Sequence, residues 1–202
     1  MITDAGTPGI SDPGEELVAM CCEAGIEVTS LPGAAACITA LTLSGLPTRR
    51  FAFEAFLPSD KKERACILQE LKNETRTIIL YEAPHRLVKT LEELYAELGD
   101  RKISLCRELT KKHETVFRDT LSQAIAWYKE NPPKGECVMV LAGRPREELV
   151  LEERQKWENM SLEEHLAIYE KEGMSRKDAM KQVAKDRGIR KRDVYQALLN
   201  QE

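Results

Sequence analysis

The sequence of 202 residues is 42% hydrophobic and 32% charged, with a formal net charge of −4 at pH 7. These are globular proportions, the length suits one large domain or two small ones, and the acidic balance excludes a uniformly basic nucleic-acid coat. No apolar run approaches the roughly 20 residues of a membrane-spanning helix and no basic-then-apolar leader opens the chain, so a cytoplasmic location without a membrane partner is expected.

The chain opens on a loop. Asp4 to Gly14 reads DAGTPGISDPG, with three Gly, two Pro and two Asp in eleven residues. PGEELVAMCCEAG then predicts a helix, acidic at its start and stopped at Gly25. IEVTSL predicts a short strand ended by Pro32 and Gly33, and AAACITALTLSG a helix of small side chains closed by Gly45. FAFEAFLP reads as a strand ended by Pro58, after which Ser59 is placed to cap the helix DKKERACILQELKN. TIILYE is a continuous apolar run, as in a strand covered on both faces. PHRLVKTLEELYAELG places Pro84 in a first helical turn and Gly99 at the stop. KISLCREL, HETVFRDTL and CVMVLAG predict further strands, with SQAIAWYKEN a helix between the last two.

Strands alternating with helices point to an α/β layer fold with a parallel or mixed sheet. GRPREELVLEERQKWENM reads as a charged connector, and three short helices follow it, the last two joined near Gly188 in the manner of a helix-turn-helix. The expected division is an α/β domain over residues 1–145, a charged linker over 146–160 and a helical module over 161–202. Charge is sorted along this tail. From Arg144 to Glu172 there are nine Glu against five Lys or Arg, whereas Met174 to Arg192 holds eight Lys or Arg and two Asp. Cys21, Cys22, Cys37, Cys66, Cys106 and Cys137 form no CxxC pair, so they read as apolar free thiols, and no metal site is expected.

In α/β sheets, ligands sit outside the carboxyl ends of strands. Gly6 and Gly9 permit unusual backbone angles and expose amides, Pro8 fixes the turn between them, and Asp4 offers an acceptor for a hydroxyl or an amino group. Composition alone leaves open a plain turn before the helix, with Asp12 as its cap.

The blocks TDAGTPGISDPG, SLPGAAACITALTLSGLP, FAFEAFLP, TIILYEAPHRL, LCRELTKKHETVFRDTL and GECVMVLAG occur in one order. Together they resemble the tetrapyrrole-methylase superfamily of S-adenosylmethionine-dependent methyltransferases. Within it they resemble the branch that methylates the ribose 2′-oxygen of a cytidine in small-subunit ribosomal RNA. The resemblance implies a mixed sheet flanked by helices, S-adenosylmethionine as cofactor, ribosomal RNA as partner and a homodimer. It departs in three places. The family's N-terminal strands, with a Gly-Asn-Leu loop, do not precede Asp4. This chain is therefore expected to be incomplete, with a cleft open on one side and weak or absent methylation until that segment is restored. Ala55 and Asp119 stand where the family commonly has Gly.

By the same resemblance, cofactor contacts fall on Asp4, Gly6, Thr7, Pro8, Ala34, Ala35, Tyr81, Cys106 and Arg107. The reaction needs a base within hydrogen-bond reach of the acceptor hydroxyl. Glu82, His85, Glu108 and Glu114 are the candidates. Lys111 and Lys112 are candidate phosphate contacts beside the cleft, and Lys177, Lys181, Lys185, Arg187, Arg190, Lys191 and Arg192 in the tail. Each neutralised phosphate releases counterions, which gives salt-dependent, sequence-blind attraction. Two other readings share these features: a methyltransferase of a tetrapyrrole-type small molecule, and a non-enzymatic RNA-binding fragment.

Overall fold

Short apolar runs organise the first of two units, Met1–Arg144 and Pro145–Glu202, in a computed structural model that describes residues 1–158 and 160–199. The runs become strands β1 (Phe51–Phe56), β2 (Thr77–Glu82), β3 (Lys102–Arg107), β4 (Thr115–Thr120) and β5 (Cys137–Leu141). They form one mixed sheet in the order β1-β2-β5-β3-β4. β1 and β2 are parallel, whereas β5 runs antiparallel to both β2 and β3. β1, β2 and β3 therefore all end at one edge, where Glu82, Cys137, Arg107 and Thr115 follow one another across the sheet.

Alternation along β2 divides the core. Ile78 and Leu80 face helices α3 (Lys61–Lys72), α4 (Leu87–Leu98) and α5 (Leu121–Glu130), packing with Leu68, Leu91, Leu94, Leu121 and Tyr128. Ile79 faces the other way, joining Cys106, Val138 and Val140 beneath α2 (Ala36–Leu43), which contributes Cys37, Ala40 and Leu41. Each fully buried Leu or Ile contributes roughly 1.5–3 kcal/mol relative to exposure. The small residues of α2 let its axis lie close to the sheet. Its last turn is held by Arg118 on β4, which donates twice to the Leu43 carbonyl at 3.0 and 2.6 Å.

Three local expectations change. Ile26–Leu31 is exposed and has no strand partner among the described residues, so its β-propensity finds no ladder to join. Helix α1 (Glu15–Glu23), just before it, buries none of its side chains and leaves Leu17, Val18 and Met20 exposed. The cap of α3 is Asp60, one residue later than Ser59, accepting from the amides of Lys62 and Glu63 at 3.0 Å each.

In the second unit, the stretch expected as a linker over 146–160 is instead helical: α6 spans Arg146–Glu158. Its Glu and Arg residues are good helix formers, Glu147 and Glu148 suit the positive end of the helix dipole, and Trp157 lies flat on the His165 ring at 3.8 Å. Helices α7 (Leu162–Lys171), α8 (Arg176–Arg187) and α9 (Lys191–Leu199) follow. Ser161 and Glu164 form a capping box on α7, and Ser175 caps α8. Leu166, Ala179, Val183, Ala184, Val194 and Leu198 make the small core. Gly188 ends α8 in the left-handed region that favours glycine, with φ 64°. Residue 159 of the expected linker and residues 200–202 of the expected module lie outside the described residues.

His165 is fully buried in this unit. Its Nδ1 accepts from Arg187 Nε at 3.1 Å, and its Nε2 lies 3.4 Å from Asp186 Oδ2, which also accepts from the Tyr169 hydroxyl at 2.6 Å. Burial, then the neighbouring Arg187 cation, hold the imidazole below its ordinary pKa. Among the described residues no helix is long and apolar enough to cross a membrane.

Candidate functional site

Two glycine-bearing loops meet beside the carboxyl edge of the sheet. The Thr7 hydroxyl donates to the Ala34 carbonyl at 3.0 Å, tying the loop around Gly6 to the loop around Gly33. Gly6 has φ 73°, and a Cβ there would lie 3.2 Å from the Ala34 oxygen. A Cβ on Gly33 would lie 3.0 Å from Thr7 Oγ1. Gly6 approaches a backbone carbonyl and Gly33 a side-chain hydroxyl, and a side chain at either position would crowd the junction.

The second loop leads into α2, whose first residues carry no side-chain cap. Tyr81, at the end of β2, takes that role, its hydroxyl oxygen accepting from the Cys37 amide at 3.0 Å. Phe53 and Phe56 hold the Tyr81 ring edge-on, with centroids at 5.1 and 5.6 Å. Burial, then the contact with Cys37, raise the hydroxyl well above the ordinary tyrosine range, so it is a neutral phenol.

Gly6, Thr7 and Ala34 are thus brought together, and Tyr81 meets the start of α2 directly after Ala35. Asp4 is exposed and Pro8 half-buried on the first loop. Cys106 faces the same side of the sheet as Tyr81, in the cluster against which Ala35 and Tyr81 pack. Its side chain is fully buried beneath α2, and burial pushes its thiol upward, so only its backbone approaches the edge. Arg107, next along the strand, points the opposite way, donating to Thr115 Oγ1 and the Lys134 carbonyl, both at 3.1 Å.

The candidate bases divide by environment. Glu82 is 1% exposed and both its oxygens are occupied. Oε1 accepts from the Ala83 amide at 2.8 Å with Arg86 Nε at 3.5 Å, and Oε2 accepts from Thr90 Oγ1 at 2.6 Å. Thr90 in turn accepts from Arg64 Nη2 at 2.7 Å, and Arg64 pairs with Glu93 at 2.6 Å. Arg64 and Arg86 also donate to the carbonyls of Pro58 and Leu57. Glu82 therefore clamps the loop after β1 to the turn that carries His85. His85 itself is exposed on that turn. Glu108 is half-buried with φ 50° and lies 3.3 Å from Lys111 Nζ, while Glu114 accepts from the Thr110 amide at 2.7 Å and folds this loop on itself.

Lys111 and Lys112 are exposed on that loop. In the second unit Lys177, Lys181 and Lys185 share one exposed face of α8, and Arg190, Lys191 and Arg192 are exposed after Gly188. Arg187 is turned inward, to His165 and to the carbonyls of Met160 and Ser161. Sequence reasoning missed Gly33, Thr90 and Arg64. The Pro-Gly pair signalled the first, whereas nothing local links Arg64 to Glu82.

Two loops set this close can hold a small ligand largely through backbone groups, and the exposed Asp4 carboxylate lies on the first of them. Comparison with known proteins narrows the choice. The model of the tetrapyrrole (corrin/porphyrin) methylases matches residues 1–125. The chain is 48% identical, over its full length and 71% of the relative's, to the ribosomal RNA small subunit methyltransferase I of Synechocystis sp.. It is 47% identical to the protein of that name from Halalkalibacterium halodurans, with 96% of this chain and 67% of the relative covered. A crystal structure of diphthine synthase superposes with a TM-score of 0.52 at 18% identity, over 68% of this chain and 57% of that one, a likeness of fold.

Proposed function

From its membership of the tetrapyrrole methylase family, to which this chain belongs, we propose that it is an S-adenosylmethionine-dependent methyltransferase of small-subunit ribosomal RNA. The observation that carries this reading is 47–48% identity, over nearly the whole chain, to relatives bearing that name.

The residues fit the cofactor. Gly6 and Gly33 let the two loops close on the Ala34 carbonyl and the Thr7 hydroxyl, and the exposed Asp4 carboxylate on the first loop suits a ligand with ribose hydroxyls and an amino acid end. Asp4, Gly6, Thr7, Pro8, Ala34, Ala35 and Tyr81 would hold it, with Arg107 and the Cys106 backbone at the edge. When bound, it supplies an electrophilic methyl group on a sulfonium centre. Positioning of the acceptor is then the protein's main contribution. The acceptor we propose is the ribose 2′-hydroxyl of a cytidine. Its proton passes to His85 or Glu108, whose side chains reach solvent, while Glu82 positions the turn beneath. Lys111 and Lys112 steady the RNA there, and Lys177, Lys181, Lys185, Arg190 and Arg192 contact phosphates from the helical module. Residues 1–145 are the methyltransferase domain in this reading and 161–202 the RNA-binding module, acting in the cytoplasm as a homodimer.

The test is methyl transfer from isotopically labelled cofactor to small ribosomal subunits, followed by nucleoside digestion and mass spectrometry. Label in 2′-O-methylcytidine is expected. Label entering a tetrapyrrole acceptor and no RNA would overturn the reading.

A further inference from the structure

Helix α9 carries an aromatic side chain that its own fold does not use. Val194 and Leu198 point into the core of the second unit, yet Tyr195 between them is 53% exposed. Lys191, one turn before Tyr195, and Arg192, three residues before it, are exposed on the same side, and Gln196 lies alongside. The acid on this stretch, Asp193, is engaged by Arg190 at 3.1 Å, which holds its carboxyl below the ordinary value. An exposed ring framed by cations remains. The turn before it is tight and fixed: Gly188 is left-handed, and the Ile189 amide returns to the Ala184 carbonyl at 3.0 Å. Helix-turn-helix units present their second helix to nucleic acid in this arrangement.

The form of RNA follows from groove geometry. The A-form major groove is too deep and narrow for a helix to read, whereas unpaired bases are recognised by stacking on aromatic rings. A base stack on an exposed ring is also tolerant of sequence. We propose that α9 grips an unpaired RNA loop, with Tyr195 stacking on a base and Lys191 and Arg192 holding the flanking phosphates. This rests on the reading that the second unit binds ribosomal RNA, and it names the form of RNA bound.

The experiment uses the full chain and fluorescence anisotropy across a salt series. The probes are an RNA hairpin with an unpaired loop, a blunt RNA duplex and a DNA duplex, all with the same number of phosphates. The hairpin should bind at least about tenfold tighter than either duplex. Y195A should weaken hairpin binding by about 5- to 150-fold, the range for losing one base stack, with its salt slope and its duplex affinity unchanged. Y195F, which keeps the ring, should bind within about twofold of wild type. Because Tyr195 is exposed, unchanged circular dichroism and melting of Y195A complete the expected result. Hairpin affinity of Y195A equal to wild type, with the K181A/K185A variant still losing salt dependence, would overturn the loop proposal and leave the RNA reading standing. Tighter binding of the DNA duplex would overturn it in favour of groove reading. Absence of binding to any RNA by the wild type would overturn both.

Discussion

Replacing Ala55 with glycine should stabilise the methyltransferase unit by about 0.5 kcal/mol. Ala55 has φ 51° and sits at the bulge where β1 slips against β2. The slip is one residue: Phe53 pairs with Ile79, but Ala55 pairs with Leu80. It sets Phe56 opposite Tyr81 instead of Glu82, so the bulge supplies one of the two rings that hold Tyr81. An L-residue in the left-handed region costs roughly 1–2 kcal/mol. Glycine removes that cost but adds about 0.4–1 kcal/mol of unfolded-state entropy. Loss of a half-buried methyl removes roughly another 0.4 kcal/mol, half the value of a buried methylene. The balance is small and favourable. A55T should move the other way by about 1 kcal/mol or more, because a β-branched side chain tolerates positive φ worse. Scanning calorimetry of the three proteins is the assay, with A55G melting about 1–2 °C higher than wild type. A lower melting point for A55G, or an unchanged one for A55T, would show that the bulge residue carries no backbone strain.

Gly143 allows no such freedom. A Cβ there would run into the backbone of Thr75 and Arg76, so G143A should cost about 3 kcal/mol in urea unfolding, and a neutral result would contradict the packing. T90V should cost about 1–3 kcal/mol by removing the hydroxyl that joins Glu82 Oε2 to Arg64 Nη2, although each side chain keeps its other partners. An affinity for cofactor that survives T90V while methyl transfer falls would identify Glu82 as a positioning group. His165 is held neutral in the folded unit, whereas the unfolded chain protonates near 6.5. The folded state thus binds fewer protons, and stability should decline as pH falls below about 6.5. Melting of the second unit between about pH 7.5 and 5.5 checks this, with H165Q expected to flatten the trend. K181A/K185A should weaken binding to all RNA sequences about equally and reduce the slope of log affinity against log salt by roughly 0.7–0.9 per lost phosphate contact. An unchanged slope would make this face merely solvated.

Elements with a strong local signal were legible in the sequence. TIILYE and CVMVLAG announced the central strands, and the alternating helices followed from their caps and apolar spacing. Ile26–Leu31 was not, because strand propensity needs a neighbouring strand and none of the described residues supplies one. Residues 146–160 read as a connector because their charge hides α6, whose anchor, Trp157 on His165, depends on a residue one helix away. The site was legible as loops and only partly as side chains. Glu82 at a strand end reads as a base until Thr90 and Arg64 occupy it from α4 and α3. Cys106 and Arg107 read as one pair, but adjacent strand residues face opposite sides, and Cys106 goes to the core.

The cofactor cradle can be tested by calorimetric titration of the full chain with S-adenosylhomocysteine, the demethylated cofactor, beside the variant G33V. One saturable site per wild-type chain is expected, with at least about tenfold weaker binding by a folded G33V, whose added side chain meets Thr7 Oγ1 where the two loops join. No binding by the wild type, or equal binding by G33V, would mean that these loops do not hold the cofactor.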